Sequence, residues 1–214
     1  YSDTVRASAC DAFRMAVTEI KCNCGGKMSV TVPKQSFFYL ANAVEDKDLL
    51  EFGLNANTLV FIKSDMLFST RIISEPFMNI DRLLNMPDKM LVAKLKANDM
   101  KTMAETVSMI TNVSEDTAPV LLKFKNNNLQ LSIESTEAES TLNVPIESVN
   151  MISGEFYYNA KYFSDMLKVI RGDVDVYMTK RGILYASNPV SEYMLTNSKK
   201  RSVKRKSKKT KKAA

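Results

Sequence analysis

The chain has 214 residues, 45% of them hydrophobic, with no His, no Trp and three Cys. That length allows one large domain or two small ones with a real core, and the lack of His removes the commonest general base and a frequent metal ligand, which argues against hydrolytic or metal-dependent catalysis. The formal net charge is +6, but ten Lys and Arg fall between Lys199 and Lys212; without them 20 basic residues face 24 acidic ones, so a mildly acidic body carries a basic tail.

From the start of the chain, Val5 to Val17 reads as two short strands around a turn at Cys10-Asp11-Ala12. Cys22 and Cys24 flank Asn23 before Gly25-Gly26. A zinc site needs four ligands, and neither a fourth Cys nor a His exists. These are read as reduced thiols near a turn, and an odd cysteine count argues against a disulfide framework. No metal and no cofactor is expected.

A pattern then repeats three times: a leading strand, an amphipathic helix and three strands. In the first copy the leading strand is Ser29–Val32. Pro33 and Lys34 open a helix with Phe37, Leu40 and Val44 on its apolar face, and strands follow at 50–54, 58–62 and 66–73. In the second copy the leading strand is Met90–Leu95. Asn98 or Asp99 is placed to cap a helix bearing Met100, Met103, Val107 and Ile110. Strands follow at 120–124, 129–134 and 140–144, with a hairpin signal at Asn126-Asn127-Asn128. In the third copy Glu155–Tyr158 leads into a helix with Phe163, Met166, Leu167 and Ile170. Gly172 is placed to end it, and strands follow at 174–178, 183–186 and 192–195. This is an α+β architecture of β-α-β-β-β modules, with helices packed on antiparallel sheets. Copies two and three make a complete pair. The first is unpaired and would expose an apolar sheet face, so the chain is expected to be cut from a longer one or to pair its open half with another chain.

These elements resemble the bacterial DNA polymerase III beta subunit, the sliding clamp family. Val5-Arg6-Ala7-Ser8-Ala9-Cys10-Asp11-Ala12-Phe13-Arg14-Met15-Ala16-Val17 is similar to the family's strand leading to Thr-Asp-Gly-His-Arg-Leu-Ala. Val32-Pro33-Lys34 resembles its next strand-to-helix junction. Phe77-Met78-Asn79-Ile80-Asp81-Arg82-Leu83-Leu84 resembles its interdomain linker. Tyr158-Asn159-Ala160-Lys161-Tyr162-Phe163-Ser164-Asp165-Met166-Leu167 resembles its Phe-Asn-x-x-Tyr-Leu-x-Asp-x-Leu helix start. The resemblance implies that residues 1–85 are the second half of the clamp middle domain and 86–197 the C-terminal domain; residues 198–214 extend past the family's usual end as a basic tail, expected from its composition to be disordered.

It further implies a cytoplasmic, non-catalytic processivity factor that encircles duplex DNA without reading sequence and is a homodimer at full length. Such a factor holds the replicative DNA polymerase and the clamp loader through short linear motifs. The implied motif pocket comprises Cys10, Ala12, Phe13, Arg14, Met15, Met78, Arg82, Leu83, Gly182, Met194 and Leu195; ordinary core is the plainer reading of the same residues. Lys34, Lys101, Lys161, Lys168 and Arg171 are the DNA-facing candidates, or else the solvated side of amphipathic helices. The family's Gly-His pair is Ala12-Phe13 here, and its linker Pro is Met78. No phosphate loop, nucleophile motif or metal cluster suggests an enzyme, and no apolar run approaches the roughly 20 residues of a membrane span. The alternative is a clamp-fold nucleic-acid-binding protein of phage or mobile-element type, anchored by its basic tail.

Overall fold

The computed structural model describes residues 4–113 and 119–200. In chain order a hairpin of β1 (Thr4–Cys10) and β2 (Arg14–Lys21) precedes helix α1 (Lys34–Ala43), then β3 (Glu51–Asn55), β4 (Thr58–Lys63) and β5 (Met66–Arg71). A one-turn helix α2 (Asp81–Leu84) leads to β6 (Met90–Leu95), α3 (Ala97–Val113), β7 (Val120–Lys125), β8 (Asn128–Glu134), β9 (Glu139–Pro145) and the short β10 (Glu147–Ser148). Last come β11 (Phe156–Tyr158), α4 (Ala160–Val169), β12 (Val174–Met178), β13 (Leu184–Ser187) and β14 (Ser191–Leu195). All three expected helices are present. The last 14 residues of the basic tail, 201–214, lie outside the described residues.

The chain forms two compact units. One covers Cys24–Leu83; the other joins residues 4–23 to the described residues from Leu84 on. In the first unit β3, β4 and β5 form an antiparallel sheet in that order. Phe52, Phe61 and Phe68 stand opposite one another across it. Leu40 of α1 packs over Leu59 and Phe61, with Val30, Val32 and Val44 around them. The expected strand Ser29–Val32 is reduced to one bridge, Thr31 with Ile73. A strand needs a ladder, and among the described residues this segment has a single bridge, the Ile73 N–H donating to the Thr31 carbonyl at 2.7 Å.

The second unit has a seven-stranded sheet, β1-β2-β14-β13-β12-β6-β10, and a four-stranded sheet, β11-β7-β8-β9. One core joins both sheets with α3 and α4, and includes Met103, Val107, Leu122, Leu131, Phe163 and Leu167. Two modules are interlocked here. The leading strand of the second copy, β6, pairs with β12 of the third; the leading strand of the third, β11, pairs with β7 of the second. Each module donates its first strand to the other's sheet.

The start of α3 departs from local expectation. The helix begins at Ala97, ahead of Asn98 and Asp99, because Asp173 caps it from across the fold. Asp173 Oδ1 accepts from the Ala97 N–H at 3.1 Å, and Oδ2 accepts from Lys96 Nζ at 2.9 Å. The Lys96 hydrogen bond, with the Ala97 amide, holds the Asp173 carboxyl below its usual range. At α4 the local signal suffices: Asn159 Oδ1 accepts from the Tyr162 N–H at 3.1 Å. That helix ends at Val169, earlier than expected, and Gly172 takes a left-handed φ of 75° beyond it.

Lys89 fixes the chain where it enters β6. Its ammonium lies 5.0 Å from the Tyr177 ring centre and 4.6 Å from that of Tyr185. It also pairs with Glu192 and donates to the Leu84 carbonyl at 2.9 Å. Burial, together with the nearby Glu192 and Asp88, pushes the Tyr185 hydroxyl up to about 12, so it stays neutral beside this charge.

The repeat is visible even in its turns. Asn126, between β7 and β8, has a φ of 50°, and so does Ala56 at the equivalent place between β3 and β4. A left-handed conformation costs a Cβ-bearing residue roughly 1–2 kcal/mol, and Asn tolerates it better than Ala. Ala56→Gly and Ala56→Asn should therefore each raise stability by about 0.5–1 kcal/mol, measured as a higher urea midpoint; an unchanged or lower midpoint contradicts the strain argument.

Candidate functional site

At one end of the seven-stranded sheet, the β1–β2 turn meets the last residues of β14 and the first turn of α4. Asp11 shapes the turn. Its Oδ1 accepts from the Phe13 and Arg14 amides at 2.8 and 2.9 Å. Its Oδ2 accepts from Arg14 Nε at 3.0 Å. Partial desolvation pushes the Asp11 carboxyl up, but the Phe13 amide and the Arg14 contacts outweigh it and hold the group below its usual range. The Phe13 carbonyl accepts from the Thr196 N–H at 2.8 Å and from its hydroxyl at 3.0 Å. The turn is thus tied to the chain just past β14.

Arg14 links three elements. Its Nη1 reaches Asp165 Oδ2 of α4 at 2.6 Å, and its guanidinium carbon lies 4.3 Å from the Tyr162 ring centre. The Phe13 ring stands 6.0 Å from the same tyrosine and is 54% exposed. Two carboxylates neutralise the guanidinium and a ring supports its flat face, so it is held in one orientation. The result is a preformed aromatic patch, Phe13 and Tyr162, with an oriented Arg beneath it.

Strand alternation sorts the other expected pocket residues. Residues directly opposite in neighbouring strands share a sheet face. Cys10, Met15 and Met194 stand in one cross-strand row that continues to Tyr185 and Tyr177. Arg14 and Leu195 stand in the next row, on the opposite face, with Leu184 and Met178 of the core. Met15, Met194 and Leu195 are buried, whereas Ala12 is exposed. Burial, then the charge of Asp11, pushes the Cys10 thiol up, which keeps it protonated and unreactive at neutral pH. Gly182 lies in the β12–β13 turn with φ 78°. Its carbonyl accepts from the Tyr158 hydroxyl at 2.9 Å, and a Cβ there would sit 3.0 Å from the Phe156 ring. Gly182 is closely packed, and the neighbouring Asn197 donates to the Arg181 carbonyl at 2.8 Å. Met78, Arg82 and Leu83 belong to the first unit; there the Arg82 amide donates to Asn79 Oδ1 at 3.4 Å.

Sequence reasoning omitted Tyr162, Asp165 and Thr196 from the site. A signal existed for Tyr162, a large ring three residues past the Asn159 cap and facing outward from a first helical turn. Asp165 matches the Asp of the helix-start motif, but its contact with Arg14, 151 residues away, could not be read from it; no signal existed for Thr196, whose contact is 183 residues away.

The basic candidates are less concentrated than their number suggests. Lys161 and Lys168 lie exposed on α4. Arg171 follows the helix end and the extended Ile170, so helical phase no longer aligns it with them. Lys101 on α3 is 3.9 Å from Glu105, one turn later on the same face. Lys34 opens α1 in the first unit. Among the described residues, no three His, Cys, Asp or Glu are grouped so as to hold a metal ion, and no helix is long and apolar enough to cross a membrane.

Asp11→Ala should leave two turn amides without their acceptor and release Arg14. A loss of about 1 kcal/mol is expected, read as a lower urea midpoint at neutral pH. Folding lowers the Asp11 pKa, so its contribution is complete above the ordinary carboxylate range and fades on acidification below it. Wild type and variant should therefore converge in stability at low pH; an equal gap at every pH would show that the carboxylate is not the cause.

Residues 1–79 match the family model of the DNA polymerase III beta subunit, central domain. No curated protein sequence matches the chain. Among solved structures, a putative DNA polymerase III beta subunit from Eubacterium rectale superposes with a TM-score of 0.80 at 18% identity, over 92% of this chain and 55% of that one. The beta subunit from Pseudomonas aeruginosa gives 0.77 at 19%, over 92% and 56%. That from Thermotoga maritima gives 0.75 at 13%, over 93% and 55%. These likenesses establish the fold, and the chain spans about half the length of the proteins it resembles.

Proposed function

We propose that this chain, which carries the central-domain signature of the bacterial DNA polymerase III beta subunit and the fold of the sliding clamps, works as a clamp-type module that captures short linear motifs of replication proteins at the Phe13–Arg14–Tyr162 patch. The observation that carries this reading is the patch itself: an exposed Phe13 ring beside the half-buried Tyr162, with a guanidinium held by two carboxylates. Preformed aromatic anchors next to an oriented Arg are the residue types that dominate binding energy at interfaces. A linear motif with one large apolar side chain and an acceptor for Arg14 fits it. Met15 and Met194, adaptable and polarizable, underlie the turn on the opposite face of the sheet. Met78, Arg82 and Leu83 are candidate contributors on the resemblance alone.

A labelled peptide from the terminus of a replicative polymerase should bind the purified chain, read by fluorescence anisotropy. Phe13→Ala and Tyr162→Ala should each weaken it by about tenfold or more, with thermal melts confirming folded protein. Lack of binding to the wild-type chain, or equal affinity for both variants, would remove the patch as the motif site.

The second part of the proposal is weak, sequence-independent contact with duplex DNA through exposed cations on the helices. The phosphate backbone supplies such binding, and its strength falls with salt. Lys161→Glu with Lys168→Glu should flatten the slope of log K against log salt by about 2. Removing residues 199–214 separates this from the tail-anchored alternative: the clamp reading expects peptide binding to survive and the helix-borne salt slope to remain, while complete loss of DNA affinity on truncation favours the anchor.

A further inference from the structure

Beside the aromatic patch, the second unit gathers positive charge that the motif reading leaves unused. The β12–β13 turn presents it. Thr179, which is buried, closes that turn. Its N–H donates to the Ile183 carbonyl at 3.0 Å, and its carbonyl accepts from the Gly182 N–H at 2.9 Å. Its hydroxyl accepts from the Ile183 N–H at 3.1 Å. Lys180 and Arg181 form the exposed tip of this closed loop. Among the described residues neither side chain has an ion-pair partner; Asp88 approaches only the backbone, its Oδ2 accepting from the Lys180 N–H at 3.0 Å.

The segment past β14 connects this turn to the patch. Thr196 donates to the Phe13 carbonyl, Asn197 Nδ2 donates to the Arg181 carbonyl at 2.8 Å, and the Ser198 N–H donates to the Tyr157 carbonyl of β11 at 2.6 Å. Lys199 and Lys200 follow, both exposed. Glu155 is the acid on this side, and its charge is already engaged. Lys123 reaches it at 2.7 Å and Lys200 at 3.7 Å, and the hydrogen bonds from Lys123 and Tyr157 hold its carboxyl down at about 2. Lys123, Lys180, Arg181, Lys199 and Lys200 thus share this end of the unit with two carboxylates, Asp88 and Glu155. The patch has the opposite balance, one guanidinium between Asp11 and Asp165.

We propose that Lys180 and Arg181 form a second subsite, which reads acidic residues flanking the apolar anchor of a linear motif held at Phe13 and Tyr162. The inference rests on the motif reading of the patch and adds the chemistry of the partner: an apolar anchor with Asp or Glu about four residues away. The distance follows from the connection just described. From Phe13 through Thr196 and Asn197 to Arg181 there are two hydrogen bonds and two residues, on the order of 12 Å, which about four extended residues span. A nucleic acid carries a charge at every nucleotide and calls for a track of cations along its backbone. Here two cations stand on the tip of one fixed turn, next to an aromatic anchor, which suits a short acidic run joined to an apolar side chain. Exposed pairs of this kind add modest affinity and act chiefly on the choice of partner and the rate of encounter.

Labelled peptides with one apolar anchor and a flank of Glu, Gln or Lys, placed in turn on each side of the anchor, test this on the full chain by fluorescence anisotropy. At about 50 mM salt the Glu flank should bind about five- to tenfold tighter than the Gln flank, and the Lys flank more weakly than either. The preference should shrink at roughly 500 mM salt, where the screening length falls to about 4 Å. Lys180→Gln with Arg181→Gln should cut the preference for Glu over Gln at least about threefold, and Lys180→Glu with Arg181→Glu should cut it further, with thermal melts confirming folded protein. Phe13→Ala should weaken all the peptides alike. Equal affinity for Glu and Gln flanks, or a preference that survives both turn variants, overturns the inference and leaves the motif patch standing. Absence of binding by every peptide overturns both. A single-stranded oligonucleotide that displaces the Glu-flanked peptide, and loses more affinity than that peptide in the turn variants, assigns the turn to nucleic acid and overturns the inference as well.

Discussion

A strand–helix–three-strand module cannot close its own sheet. Its leading strand passes to a neighbour, and its first returning strand waits for one. The stability of the second unit rests on this exchange, because β6–β12 and β11–β7 are the pairings that bring α3 and α4 together over a common core. Backbone groups drive it as much as apolar area does: an edge left open is a row of donors and acceptors that must find water or a partner.

Sheet continuity also decides where the candidate site stands. The N-terminal hairpin lies within the stretch that matches the central-domain model, and β2 pairs along five residues with β14, the last strand among the described residues. That pairing carries the Asp11 turn to the start of α4, where Arg14 finds Asp165 and Tyr162. The patch is therefore made by segments 151 residues apart in sequence. It has no continuous counterpart in the sequence. Period-two alternation then divides the neighbouring residues between the two faces of the sheet, so Met15 and Arg14, adjacent in sequence, serve opposite sides.

Charge is used in the second unit chiefly for joining. Asp173 caps α3 and pairs with Lys96. Lys89, between two tyrosine rings and Glu192, holds the Leu84 carbonyl. Arg14 bridges two carboxylates. Each of these ties a strand or turn to an element far away in sequence. The cations left facing water on the helices, Lys161 and Lys168 above all, are few, which suits weak contact with a polyanion better than tight capture.

The sequence by itself determined the local pieces. Apolar spacing of 3.6 placed all three module helices, alternation placed nearly every strand within a residue or two, and Asn159 announced the start of α4. The Asn159–Leu167 helix start, read from its resemblance, is the segment that supplies Tyr162 and Asp165 to the patch. Tertiary structure alone decided which strands pair, that Asp173 starts α3 two residues early, that Ser29–Val32 falls short of a strand, and that Tyr162 and Asp165 complete the patch. The reason is physical: helix and strand periods are set by neighbours within a few residues, whereas ladders, long-range caps and bridging guanidiniums depend on partners up to 183 residues away, whose arrival no local pattern encodes.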